Sequence, residues 1–428
     1  MGDSDLPQEI VDIISELLQD DTNSLKNCSV LSHSWALSCQ RHLFHSLALG
    51  GARKVVRFRH KEPIASRSDS PETQYQELDA FLVNSPGIAS QCVRFVRLRF
   101  DSYAVSPPRY SESTNNALSS VLAKLTRVHT YDLYLGKWGQ YPKGLRQSIY
   151  TLLQQPSTSS ISVNCTEFAS PADVASLLIH SQGLKDLSIM DCSIMDPLHD
   201  TSDQISEVSS EDVQPVKFRM DNFVDGLLPT LLRPDSHLKL NRLRGLRLRL
   251  SNRADQRDLI QLLIAQSGPC LQHLELLDSP MYRYSPELFL QLNQIPNLHT
   301  LRLTGFKATA FFSSIHWMVK LFANLTDSLP LEEIEISFMA HRRMLPNVDN
   351  IRESSIGERM LWVPLRELDA LLMRKELSCL HRVQFSLTVR EPAENSILEF
   401  EQKLQESLPA LRARTGDLLH IAVSTSVY

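Results

Sequence analysis

At 428 residues the chain exceeds the length at which one compact core keeps growing, so several domains or an elongated repeat are expected. Apolar residues make up 42% of it, ample for folding, and the formal net charge is −5. The first fifty residues carry all of that charge, Asp3, Asp5, Glu9, Asp12, Glu16, Asp20 and Asp21 against Lys26 and Arg41; the remainder is formally neutral, without the basic footprint of a general nucleic-acid binder.

The first predicted element runs from Leu6 to Leu47. Pro7 suits a first helical position, where no amide partner is lost, and Ile10, Ile13, Ile14, Leu17 and Leu18 then recur at helical spacing as one apolar stripe. The acidic corner Asp20-Asp21-Thr22-Asn23 breaks that helix and supplies capping side chains for a second, short helix carrying Leu25, Cys28 and Leu31. A third helix continues through Trp35, Leu37, Leu43 and Phe44. Three short helices make a marginal core, which a partner surface is expected to complete.

Leu6-Pro7-x-Glu9, Ile13, Leu17, Leu25, Cys28-Ser29, Leu31-Ser32 and Trp35 fall at the spacings of the F-box, and this part of the chain resembles that family over its whole length. It departs mildly, with Leu31 where valine is common and a slightly long first corner. The resemblance implies a small orthogonal helix set over residues 1–50. It also implies a partner, a Skp-type adaptor that joins F-box proteins to a cullin–RING ubiquitin ligase. The adaptor-binding residues on this reading are Leu6, Pro7, Ile10, Ile14, Leu31 and Trp35.

Residues 51–76 are expected to be a linker or edge segment. Arg53 to Lys61 is basic with alternating Val56 and Phe58, as in an edge strand kept soluble by charge, and Glu62 to Glu72 is rich in Ser and Pro. From Glu77 to the end a unit returns: a helix, a stop such as Ser85-Pro86-Gly87, then an alternating strand such as VRFVRLRF. The same ending recurs at Leu125, Leu184, Leu243, Leu271, Leu298, Leu331 and Leu380, with apolar residues at positions one, four and six. The starts at Leu243, Leu271 and Leu298 lie 28 and 27 residues apart; two gaps near 59 residues each have room for a degenerate unit.

This is the L-x-x-L-x-L spacing of a leucine-rich repeat, and stacking such units predicts a curved parallel sheet with helices outside. The expected fold is therefore α/β: an N-terminal three-helix F-box followed by an irregular leucine-rich-repeat-like curved solenoid over 77–428. The alternative is a non-repetitive α/β domain. Residues 191–221, rich in Asp, Glu and Ser, are expected to be a disordered acidic insertion.

The sequence carries no catalytic constellation: no G-x-S-x-G, no H-E-x-x-H and no phosphate-cradling loop ending in Gly-Lys-Ser/Thr. Gly136 to Gly144, with its aromatics and lysines, reads as an exposed loop. Seven cysteines, an odd number without a C-x-x-C pair, fit reduced thiols in a cytoplasmic or nuclear protein. Cys28, His33, Cys39 and His42 are wrongly spaced for zinc, so no metal or other cofactor is expected. No secretory signal or membrane span is apparent, and the most apolar window, Ala308 to Leu325, reads as a buried helix.

A non-catalytic role follows: the substrate-recognition subunit of a Skp–cullin–F-box ligase, with an unidentified protein substrate, or alternatively a scaffold of the same kind acting outside an active ligase. Neither nucleic acid nor membrane is an expected partner. In an L-x-x-L-x-L strand the residues between the leucines point away from the core, which nominates Arg97, Arg99, Arg247, Arg249 and Arg302 for holding an acidic or phosphorylated target segment.

Overall fold

The structure is a computed structural model that describes residues 6–50, 56–58, 71–100, 111–179, 181, 183–195, 213–221, 227–232, 238–249, 254–277, 290–307, 311–341, 355–390, 394–413 and 419–426. The chain divides into two compact units, Met1–Gln214 with Val224–Leu238, and Pro215–Phe223 with Lys239–Tyr428.

In the first unit, helices α1 (Gln8–Leu17), α2 (Thr22–Cys28) and α3 (His33–Leu43) lead directly into β1 (Ser46–Gly50). There follow β2 (Val56–Phe58), α4 (Pro71–Asn84), β3 (Phe95–Arg99), α5 (Glu112–Lys124), β4 (Thr130–Lys137), α6 (Lys143–Leu153), β5 (Ser160–Phe168), α7 (Pro171–Ile179), β6 (Asp186–Met190), β7 (Ser193–Ile194) and α8 (Leu227–Leu231). The strand order is β2-β1-β3-β4-β5-β6, with β7 also on β5. Every pairing is parallel except the β1–β2 hairpin, so the basic segment supplies an edge strand.

Alternation along each strand explains the core. Leu47, Val96, Tyr131, Ile161 and Leu187 are successive register partners, as are Leu49, Leu98, Leu133, Val163 and Ile189, and all ten are buried. Between these two rows runs a polar one, Ala48, Arg97, Asp132, Ser162 and Ser188, on the opposite face. Helices α4 to α8 pack each against the next. At the strand starts one carbonyl serves two amides of the next strand: His45 O accepts from Arg94 N and Phe95 N at 2.9 and 3.1 Å, and Arg94 O from His129 N and Thr130 N at 2.8 and 3.1 Å. Gly50, at φ +95°, ends β1 where a Cβ would lie 2.0 Å from Arg99 O, so only glycine fits.

The second unit holds β8 (Lys217–Asp221), β9 (Gly245–Arg249), α9 (Ala254–Ser267), β10 (His273–Leu277), β11 (Thr300–Lys307), α10 (Phe311–Ala323), β12 (Glu333–His341), α11 (Ser355–Leu372), β13 (Arg382–Arg390), α12 (Glu394–Ser407), α13 (Pro409–Ala413) and β14 (Leu419–Ser426). These seven strands are parallel and adjacent in chain order. Phe218, Leu246, Leu274, Leu301, Ile334 and Val383 form one buried row across them, and Met220, Leu248, Leu276, Leu303, Ile336 and Phe385 the next. Helix α10 buries Ile315, Met318 and Phe322.

The expected N-terminal three-helix F-box followed by an irregular leucine-rich-repeat-like curved solenoid is corrected by this architecture. The chain is α/β, but it builds large parallel sheet, strand joined to strand in matched register, and the helices at its start run into that sheet rather than standing as a separate module. The reason is physical. An L-x-x-L-x-L strand specifies one apolar face and a lateral neighbour, and any helix-covered parallel sheet satisfies both; the shape depends on the connections, which here carry helices of up to 18 residues.

Finer expectations shift as well. The start assigned to Leu125 belongs at Val128, since Val128, Tyr131 and Leu133 hold the buried positions. Both 59-residue gaps contain a strand, β5 and β8. Of the acidic stretch, residues 191–195 and 213–221 take part in the sheets through β7 and β8, and 196–212 lie outside the described residues. Trp138 and Tyr141, expected on an exposed loop, are buried: Trp138 Nε1 donates to Tyr150 Oη at 3.3 Å, and Tyr141 meets Phe100 with ring centroids 5.0 Å apart.

Candidate functional site

Helix α1 carries its apolar stripe on the side it does not bury. Pro7 precedes the helix by one residue, and its carbonyl accepts from Ile10 N at 3.0 Å and Val11 N at 3.2 Å. The residues α1 buries are Val11 and Ser15, with Ser15 Oγ 3.7 Å from Cys39 Sγ of α3. A polar seam continues this contact: Gln8 Nε2 donates to Asp12 Oδ1 and Ser38 Oγ, both at 2.8 Å, and Ser38 Oγ donates to Asp12. These hydrogen bonds hold the Asp12 carboxyl below its ordinary range, Ser38 contributing most.

The opposite side is apolar and wet. Leu6, Ile10, Ile13 (53% exposed) and Leu17 (80%) face solvent, and Ile14 is half-buried. At the corner between α2 and α3, Val30 is 81% and Leu31 65% exposed. The local sequence enforces this corner. Asp21 caps α2 by accepting from Asn23 N and Ser24 N, both at 3.1 Å, Ser32 caps α3 by accepting from Trp35 N at 3.5 Å, and Leu25, Cys39 and Leu43 form the small core beneath. Trp35 is half-buried on α3. Leaving large aliphatic side chains in water forgoes about 1.5–3 kcal/mol each, and a contiguous set on one helix face marks a binding surface.

The nominated arginines stand on the polar sheet faces, Arg97, Arg247 and Arg302 paired with acids and Arg99 with an aromatic ring. Arg97 Nε donates to Asp132 Oδ2 at 2.6 Å and its guanidinium lies 5.6 Å from the Phe95 ring centroid; that of Arg99 lies 5.8 Å from the Tyr134 centroid. Asn164 Nδ2, buried, donates to Asp132 Oδ1 at 2.7 Å and Ser162 Oγ at 3.0 Å. Burial, then the charge of Asp132, pushes the Tyr134 phenol up.

In the second unit Arg219, Arg247, Glu275, Arg302, Glu335 and Gln384 are successive register partners. Arg247 Nη1 lies 3.3 Å from Glu275, and Arg302 Nε 3.2 Å from Glu335. Arg249 sits two residues along β9, beside Leu277. From Arg247 to Glu335 the face is thus a ladder of alternating charge rather than a cationic stripe. Sequence reasoning missed Asp132 and Asn164, which lie at the outward positions of TYDLYL and SISVN; their alternation was legible, their partners were not.

A third feature is a crevice of about 530 Å³ between α1, α3, the turn at Gln91-Cys92 and the starts of β3 and β4. Its charged lining includes Asp12, Glu16, Arg41, His42, Arg94 and Arg127. Burial holds the His42 imidazole below its usual range against the opposing pull of Glu16 and Asp12. Among the described residues no three His, Cys, Asp or Glu side chains gather as a metal-binding group, and no helix is long and apolar enough to cross a membrane.

Fold and surface together define an α/β protein with an exposed apolar face on α1 and charged residues on its sheet faces. No protein-family model matches the chain, and no curated protein matches it.

Proposed function

We propose that the chain is the substrate-recognition subunit of a Skp–cullin–F-box ubiquitin ligase. The observation that carries the reading is the solvent-facing apolar stripe Leu6, Ile10, Ile13, Ile14 and Leu17, joined by Leu31, in the stretch whose sequence resembles the F-box. A Skp-type adaptor is the occupant of that surface, and through it a cullin. The receptor carries out no transfer itself; it contributes proximity and orientation of a bound target, held on the sheet faces that present Arg97, Arg99, Arg247, Arg249 and Arg302. Its place is the cytoplasm or nucleus, where such ligases work.

The test is co-purification of the full chain with adaptor and cullin. Leu17→Asp and Leu31→Asp, at sites exposed in the free protein, abolish adaptor capture while circular dichroism and melting stay unchanged, as do Leu6→Ala/Pro7→Ala and Trp35→Ala. Arg412→Ala, on α13, is the control. Undiminished capture by the folded variants overturns the reading; adaptor without cullin overturns the ligase but leaves a scaffold.

A further inference from the structure

Several arginines on the sheet faces and helices of this protein have carboxylates within reach. Arg97 has Asp132, Arg146 has Asp173 at 3.3 Å, Arg247 has Glu275, Arg302 has Glu335 and Arg382 has Glu333 at 3.8 Å. Three arginines of the first unit without such a partner line one crevice. Arg41 comes from the last turn of α3, Arg94 from the residue before β3, and Arg127 from the segment before β4. Among the described residues none of the three has a carboxylate within 4 Å.

The backbone gathers them. Arg94 N donates to His45 O at 2.9 Å, just past α3, and Arg94 O accepts from His129 N at 2.8 Å, two residues beyond Arg127. Arg94 Nη1 in turn donates to Arg127 O at 3.0 Å, which fixes its guanidinium at the crevice wall. Of the two carboxylates on the α1 side, Asp12 is already engaged by Ser38 and Gln8. The lining holds three guanidiniums against two carboxylates, which leaves the crevice net positive.

We propose that this crevice is an anion site for a phosphate group, held by Arg41, Arg94 and Arg127. Three planar donor forks from separate elements match the several acceptor oxygens and double charge of a phosphate better than the two oxygens and single charge of a carboxylate. Asp12 and Glu16, also in the lining, repel anions that reach the α1 side. The site is independent of the adaptor surface, whose residues are the outward stripe of α1 rather than Asp12 and Glu16.

The experiment is titration calorimetry on the full chain with inorganic phosphate, with sodium chloride at matched ionic strength, and with a phosphoserine peptide and its unphosphorylated form. Saturable phosphate binding is expected, weakened at least about tenfold in Arg94→Glu and in Arg41→Glu and unchanged in Arg412→Glu. Arg41 is exposed, so Arg41→Glu serves if Arg94→Glu fails to fold, and a melting curve checks each variant. Tighter binding of the phosphopeptide than of phosphate assigns the source to a protein segment; equal binding assigns it to a small phosphate. Absence of saturable binding, or equal binding by all variants, overturns the site.

Discussion

Ser15 Oγ lies 3.7 Å from Cys39 Sγ in the interior between α1 and α3. A helix that buries Val11 and a serine set against a cysteine, while Leu17 stands 80% exposed two residues away, is oriented for something other than its own chain. The adaptor reading rests on this inversion.

The inversion makes a stability prediction opposite to the hydropathy of the residues. Ser15→Leu adds volume to a closed seam and should cost about 1–3 kcal/mol. Leu17→Asp removes an apolar side chain from solvent contact and should change stability by no more than about 0.5 kcal/mol. Urea denaturation of the two variants ranks them; a larger loss for Leu17→Asp would show that α1 packs through its stripe.

Asp132 is the hub of the first unit's polar row. Its two oxygens take Arg97 Nε and Asn164 Nδ2, and its side chain is 12% exposed against 48% for Arg97. Asp132→Ala strands a buried amide and should cost about 1–3 kcal/mol, whereas Arg97→Ala leaves a carboxylate still bonded to Asn164 and should cost under about 1 kcal/mol. Equal losses in chemical denaturation would remove Asp132 from that role.

Acid should weaken the first unit in two stages. His42 has a folded-state pKa below its ordinary 6.5, so the unfolded chain binds the proton more readily. Stability is full above the unfolded value and falls as pH drops from about 6.5 through the lower folded value. Asp12, whose pKa is depressed below 3.8, contributes stability above the unfolded value that is lost as pH falls through the folded one. Denaturation midpoints at successive pH values should therefore decline first in the His42 window, and His42→Gln should flatten that decline. An unchanged slope in His42→Gln would place the titration elsewhere.

Much of the fold was legible in the chain. The eight L-x-x-L-x-L segments all form strands, because alternation of apolar and polar residues is a local property that needs no partner to be recognised. The short helices at the start were legible through Pro7, the apolar stripe of α1 and the acidic corner at Asp20-Asp21 for the same reason. Strands β5 and β8 were missed because the first position of the L-x-x-L-x-L spacing holds Thr158 and Pro215 there rather than a large apolar residue. Helix α11 runs from Ser355 through Pro364, a residue that locally disfavours a helix interior.

What the sequence determined by itself was which positions are apolar and at what period, hence the strands, the stripe on α1 and the outward placement of Arg97, Arg247 and Arg302. Tertiary structure alone decided three things: that the strands join as large parallel sheet rather than the expected solenoid, that each of those arginines meets a carboxylate, and that Arg41, Arg94 and Arg127 share a crevice. The reason is common to all three. Register across strands and the meeting of residues up to 86 positions apart, as between Arg41 and Arg127, are set by long-range pairing, and no local period encodes them.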